Sequence, residues 1–310
     1  MNKFKLLQKI KKLYDNGENL IHYLKTLSNS EKNNIEDILI SYDFQAGSYI
    51  KGYADDKKSN HLFCGHLANI IHSLEPAESI LEAGIGESTK LVTLLRNLNY
   101  MPKKALGFDI SWSRLKFAQN FLIDNGINHV NLFAANLFEI PLLDNSIDIV
   151  YTSHAIEPNG GMEELALSEL YRITKKYLVL LEPAYELASH EAKERMNFHG
   201  YVKNLPAIAT NLGYKIIEYR LFDYQYNPHN PTGLIIIEKT SPESNDSELV
   251  CPLTKNKLID YSESFLYSKD SFLTYPILEK IPLLLKENAI LATHLLTDYN
   301  QYKKEHNIIL

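Results

Sequence analysis

Ser79-Ile-Leu-Glu82-Ala-Gly84-Ile-Gly86-Glu-Ser-Thr89 is the stretch on which the fold of this 310-residue chain turns. Ser79 to Ala83 reads as a short strand, and Ser88 to Leu98 carries a helical apolar pattern. The glycines between them let the backbone turn sharply and approach a ligand closely. Outward from this point, Ala105 to Ile110, Val130 to Ala134, Ile147 to Thr152 and Tyr177 to Leu181 read as further strands, alternating with helical segments. That alternation predicts an α/β fold with a mostly parallel sheet. Ser111 is an N-cap, and Asn125-Gly126 a stop, for the helix after the second strand. One helical stretch is expected over residues 188–212. Tyr214 to Phe222 and Thr232 to Glu238 are joined by a loop too short for a crossover helix, so they are expected to pair antiparallel.

Around this core, residues 76–241, lie a helical extension (1–75) and a small α+β module (249–310). Thr240 to Glu248 has no apolar residue and reads as a polar linker. Gln45 to Lys51 is expected to fold over the site as a lid. The composition, 45% hydrophobic and 23% charged, is that of a globular protein. A net charge of −6 and only five arginines argue against a general nucleic-acid binder, whose affinity rests on phosphate contacts. Two cysteines, Cys64 and Cys251, do not make a disulfide scaffold. No apolar run approaches the ~18 residues of a membrane span. Met1 to Leu13 is lysine-rich, lacks the apolar core of a signal peptide, and reads as a docked helix. A cytoplasmic protein without membrane partners is expected.

Asp109 closes the second strand, where a carboxylate can accept hydrogen bonds from both hydroxyls of an adenosine ribose. Asn136 follows the third strand, where an amide can pair with an adenine edge. Taken singly, Glu82 reads equally as a strand end and Asp109 as a helix cap. In this order, however, Ser79 to Lys239 resembles the class I S-adenosylmethionine (SAM)-dependent methyltransferases. Glu82-x-Gly84-x-Gly86 resembles their first motif and Phe108-Asp109-Ile110-Ser111 their second. Ala135-Asn136-Leu137, with Pro141 to Asp148, resembles the adenine segment and the run into the fourth strand. Ser153-His154-Ala155-Ile156-Glu157 resembles the segment beside the methyl group. The resemblance implies a Rossmann-like methyltransferase sheet ending in an antiparallel hairpin, with SAM as cofactor. It implies cofactor contacts from Glu82, Gly84, Gly86, Asp109, Ile110, Asn136, Leu137 and Ser153. Two positions depart from the family: Asn136 stands where an acid is common, and Ser88 replaces the third glycine. A nicotinamide or flavin dinucleotide fits less well, because Thr89 stands where its fingerprint wants a small glycine.

Methyl transfer from a sulfonium needs mainly positioning, and needs a base only when the acceptor must lose a proton. His154 and Glu157 are the candidate catalytic pair, histidine being the natural base near neutral pH. The competing reading packs His154 against the cofactor without proton transfer. Asn159, Glu182 and Tyr185 are candidate substrate contacts, His199 and Tyr201 candidate walls, and His229 a surface residue. No Asn-Pro-Pro-Tyr or Asp-Pro-Pro-Tyr follows the fourth strand, and no Pro-Cys pair. The leading expectation is a small-molecule, metabolite or glycan acceptor. The alternatives are a methyltransferase of tRNA or of a translation protein, and a non-catalytic SAM-binding protein.

Cys251-Pro-Leu-Thr254, followed by Tyr275-Pro-Ile277 and Ile281-Pro-Leu283, resembles the small zinc-binding activator subunits of tRNA and release-factor methyltransferases. Thr254 and Ser268 stand where further cysteines belong, and one cysteine cannot supply a tetrahedral zinc site, so no metal is expected. The tail is expected to dock on the core, burying Tyr275, Ile277, Ile281 and Leu283.

Overall fold

The computed structural model describes residues 3–28, 32–240 and 244–308. The N-terminal part is helical: α1 (Leu7–Asp15), α2 (Leu20–Ser28), α3 (Ile35–Phe44), α4 (Ser48–Asp55) and α5 (Lys57–Ser73). Ile10, Leu20, Leu24 and Ile40 form a small separate core there. The start of the lysine-rich segment, residues 1 and 2, lies outside the described residues. From Lys3 onward the segment is docked, with Lys3 Nζ 2.5 Å from the buried Asp37 carboxylate.

The core runs β1 (Ser79–Ala83), α6 (Thr89–Asn97), β2 (Lys104–Asp109), α7 (Trp112–Asp124), β3 (Val130–Ala134), β4 (Ile147–Ser153), α8 (Glu163–Ile173), β5 (Thr174–Pro183), α9 (His190–His199), α10 (Leu205–Asn211), β6 (Lys215–Leu221) and β7 (Thr232–Glu238). These strands form one sheet in the order β3-β2-β1-β4-β5-β7-β6. β1 to β5 are parallel, and β7 runs antiparallel between β5 and β6, as the short loop required. β1 is buried at every position, as a parallel strand covered on both faces should be. α5, α6 and α7 pack on one face, and α8 and α10 on the other. The strand order reverses direction between β1 and β4, and a crevice opens at the carboxyl ends of such strands.

One helical expectation is corrected. Residues 188–212 hold two helices, because Gly200 ends α9 in the left-handed region (φ +71°) and Asn204 (φ +58°) starts α10 ahead of Pro206.

Of the expected linker, residues 241–243, with the core boundary at 241, lie outside the described residues. The tail holds β8 (Ile259–Ser262), β9 (Phe265–Ser268), β10 (Leu273–Leu278), β11 (Ile281–Pro282), β12 (Ile290–Leu291) and α11 (Tyr299–Glu305). It closes the β3 edge of the main sheet. Leu284 N–H donates to Ala134 O at 2.8 Å, and Leu283 bridges Ala134 in parallel register. Strand periodicity puts Ile281, Leu283 and Leu285 into the core on the α5–α7 face and Leu284 into the core on the other. Tyr275, Ile281 and Leu283 are buried. Ile277 is only half-buried, because it pairs with Pro282 in the short β10–β11 ribbon rather than facing the core. No helix among the described residues is long and apolar enough to cross a membrane.

Candidate functional site

After β1 the chain turns through Gly84 (φ +69°) and Gly86 (φ +54°), and Ser88 (φ +62°) leads into α6. A Cβ on Gly84 would lie 2.4 Å from Ala155 Cβ, and one on Gly86 2.4 Å from the Arg114 guanidinium. The glycines therefore let this loop close on the loop after β4 and on Arg114. Ser88 keeps the left-handed conformation at a cost of ~1 kcal/mol, so the turn survives without the third glycine. A cavity of about 640 Å³ opens above the loop, inside the ~300–1,000 Å³ span of small-ligand sites.

At one end of the cavity stand Asp109, Ile110, Asn136 and Leu137, at the carboxyl ends of β2 and β3. The Asp109 carboxylate accepts from Gly86 N–H at 3.0 Å and Ser111 N–H at 2.9 Å, and Arg114 Nη1 lies 3.7 Å away. A carboxylate offers about four acceptor positions, so capacity remains for a ligand. Asn136 Oδ1 accepts from Phe138 N–H at 3.1 Å, which orients the side chain and leaves both amide hydrogens and one oxygen lone pair to offer.

The roof comes from the N-terminal extension. Ser48, Tyr49, Gly52 and Tyr53 of α4 line the cavity, as do Ile38 and Tyr42 of α3. Glu87, directly after Gly86, holds this roof down. Its carboxylate accepts from Gly47 N–H at 2.9 Å, Tyr49 N–H at 3.4 Å and Ile50 N–H at 2.7 Å, satisfying the open N-terminus of α4. Asp43, at the end of α3, accepts from the Ser111 and Ser113 hydroxyls at 2.6 and 3.0 Å. Arg114 lies against the Tyr49 and Tyr42 rings, 4.4 and 5.3 Å from their centroids.

At the other end is the loop after β4. His154 sits at φ +56°, a conformation a non-glycine residue holds only when its surroundings impose it. Its Nδ1 is hydrogen-bonded to Glu157 Oε2, and its Nε2 lies 2.8 Å from Thr232 Oγ1. Asn230 Nδ2 donates to the same Glu157 oxygen at 3.0 Å. Burial alone would raise the Glu157 carboxyl, but the His154 imidazole and hydrogen bonds from His154, Asn230 and Tyr201 hold it below its usual range. His154, Glu157, Asn159, Asn230 and Thr232 all line the cavity.

Beneath the glycine loop, Glu82 is buried and accepts from Tyr151 OH at 2.9 Å. Burial pushes its carboxyl up to about 7, outweighing the nearby Lys90 charge and the Tyr151 hydrogen bond. Lys90 Nζ donates to Ser153 Oγ at 2.6 Å.

The structure thus gathers Glu82, Gly84, Asp109, Ile110, Asn136, Leu137, Ser153, His154, Glu157 and Asn159 around one cavity, with Gly86 shaping the loop behind it. Two expected substrate contacts are corrected. Glu182 does not reach the wall, because its carboxylate accepts the N–H groups of Ala155, Ile156 and Glu157 at 3.0, 3.1 and 3.0 Å and so fixes the loop after β4. Tyr185 lies outside, within 3.3 Å of Asn197 Nδ2 and under the Lys193 and Lys203 side chains. His199 and Tyr201 stack on each other (centroids 5.2 Å apart) behind Glu157 rather than walling the cavity. His229 is exposed, as expected, 3.7 Å from Glu191. Sequence reasoning missed Lys90, Glu87 and Arg114. For Lys90 the signal was its place: it stands in the first turn of the helix that directly follows the glycine loop. Among the described residues no group of three His, Cys, Asp or Glu side chains gathers as a metal site.

Residues 80–177 match the family model described as a methyltransferase domain. Residues 80–177 thus carry a methyltransferase domain, on a Rossmann-like main sheet and within a longer chain. Among solved structures, a SAM-dependent methyltransferase from Aquifex aeolicus is 18% identical, with a TM-score of 0.45; the match covers 62% of this chain and 97% of that one. The geranyl diphosphate C-methyltransferase of Streptomyces coelicolor A3(2), in complex with Mg2+, geranyl diphosphate and S-adenosyl-L-homocysteine, is 12% identical over 56% of this chain and 78% of that one, with a TM-score of 0.45. A chain from the complex of the Haloferax volcanii Trm112 methyltransferase activator with a methyltransferase is 15% identical over 63% of this chain and 94% of that one, with a TM-score of 0.49. The residues present fit SAM: a glycine cradle that a Cβ would obstruct, a carboxylate with spare acceptor capacity at the β2 end, and apolar Ile110 and Leu137 beside it.

Proposed function

We propose that this chain methylates a hydroxyl group of a small polar acceptor, a metabolite or glycan unit. The observation that carries this reading is the His154–Glu157 pair, set in the cavity wall with His154 Nε2 facing the Thr232 hydroxyl. When bound, SAM supplies a methyl carbon activated by the sulfonium. A hydroxyl is a poor nucleophile until its proton is drawn off, and this is where a positioned base contributes. Glu157 holds the proton on His154 Nδ1, which turns the Nε2 lone pair toward Thr232. An acceptor hydroxyl entering beside Thr232 would hydrogen-bond to Nε2 and pass its proton there, and Glu157 would stabilise the imidazolium that forms. Glu182 keeps the loop in place through three N–H groups. Asn159, Asn227, Asn230 and Tyr226 line the same end, amide and phenol groups suited to an acceptor with several hydroxyls.

The same reading takes residues 249–310 as a built-in, activator-like support. Three hydroxyl residues surround the thiol where a metal knuckle would need cysteines: Ser271 Oγ lies 3.6 Å from Cys251 Sγ, and Thr254 and Ser268 hydrogen-bond to it. Tyr275 OH lies 3.4 Å from the sulfur. Burial would raise the thiol, but these hydrogen bonds outweigh it and bring it down to about 6.

The test is a cell extract incubated with protein and methyl-labelled SAM, followed by metabolite mass spectrometry. The expected product is a methyl ether. With that acceptor in hand, Glu157→Gln should lower turnover by roughly a hundredfold, the low end for acid–base catalysis, with little change in melting temperature. Label found on nitrogen, carbon or RNA, or full turnover in the variant, would remove the dyad from this role.

A further inference from the structure

Lys90 is a half-buried cation that the proposed chemistry leaves unused. It sits in the first turn of α6 and lines the cavity. Its ammonium lies 4.5 Å from the Phe63 ring centroid and 5.9 Å from that of Tyr226. Among the described residues its one hydrogen-bond partner is Ser153 Oγ, and Glu82, Glu182 and Glu157 act on it only through longer-range charge. An ammonium has three donors, and one withdrawn from much of its water is favoured when an anion or several acceptors complete its shell.

The lining of the cavity says what that anion is. A sulfonium carries three arms. The adenosyl arm belongs over Asp109 and Asn136, and the methyl must face His154 and the acceptor. The third arm, which ends in an amino acid, is left with the part of the lining that Asn60 of α5 and Thr89 and Lys90 of α6 supply. We propose that Lys90 receives the carboxylate of the cofactor's amino-acid arm and makes this site selective for cofactors that carry one. The inference rests on the SAM reading above.

Calorimetry on the full chain, without acceptor or turnover, tests it with two ligands. S-adenosylhomocysteine carries the amino-acid arm, whereas 5′-methylthioadenosine keeps the nucleoside and thioether but lacks the arm. Lys90→Met should weaken S-adenosylhomocysteine ten- to a hundredfold, about 1.4–2.8 kcal/mol, and leave 5′-methylthioadenosine within about twofold. Lys90→Gln, which keeps a donor for Ser153, should show the same selective loss and serves if the methionine variant does not fold. If Lys90 instead stood beside the ligand's ammonium, its removal would tighten binding. Unchanged or tighter S-adenosylhomocysteine binding, or equal loss for both ligands, overturns the assignment. A wild-type chain that binds neither nucleoside overturns the SAM reading itself.

Discussion

Glu82 lies under the glycine loop with Tyr151 donating to it, and its carboxyl titrates near 7 because burial outweighs the Lys90 charge. In the unfolded chain the same group ionises in the ordinary carboxylate range. Between those two values the native state keeps a proton that the unfolded state has released, so the contribution of Glu82 to stability falls as pH rises through this window. Glu82→Gln removes the proton and should make stability less dependent on pH. In urea titrations the variant should gain on wild type between pH 5 and pH 8, by at most about 3 kcal/mol. An equal difference at both pH values would show that Glu82 does not hold its proton. Residues such as Glu82, Gly84, Asp109 and Asn136 were legible in the sequence because strand ends fix where they stand. Glu87 and Arg114 were not, because their partners, residues 47 to 50 and Tyr42 with Tyr49, lie far away in sequence.

Among the elements, α4 depends most on a single side chain. Its N-terminal N–H groups point at Glu87, a residue of the glycine loop. Glu87→Ala should loosen the lid and leave the sheet intact. Hydrogen bonds to a charged group contribute roughly 1.5–3 kcal/mol, so amide exchange at Gly47, Tyr49 and Ile50 should quicken about ten- to a hundredfold while β1 and β4 stay protected. Unchanged exchange would mean that Asp43 and Arg114 alone hold the lid. At this scale the sequence was most informative where periodicity and turn residues agree: β1, β3 and β7 occur at the residues expected. β5 was read too short, because Lys175 and Lys176 look like a helix end, yet pairing of Thr174 with Ile147 draws them into the strand. The break at Gly200 to Pro206 was written in the sequence by turn residues that the apolar pattern of the flanking segments outweighed.

For the molecule as a whole, the tail and the core share both hydrophobic layers. Cutting the chain after Thr240 would strip Leu283, Ile281 and Leu285 from one core and Leu284 and Tyr275 from the other. It would also leave the Ala134 and Pro141 carbonyls without Leu284 and Val250. At ~1.5–3 kcal/mol for each large apolar side chain, this loss rivals the ~5–15 kcal/mol that holds a typical domain together. The truncated chain should melt at least ~10 °C lower and self-associate, as light scattering would report. A monomeric fragment with an unchanged melting temperature would show the tail to be an appendage. The β3 edge also sets a clock during synthesis. All seven strands of the main sheet have been made once Glu238 is added, but the segment that covers β3 ends at Leu285. At ~5–20 residues per second the ribosome needs roughly two to ten seconds to make the difference, and longer to clear its exit. For that interval each new chain carries an open parallel edge beside its neighbours on the same message. The last fifth of the sequence thus decides how crowded a polysome this protein tolerates.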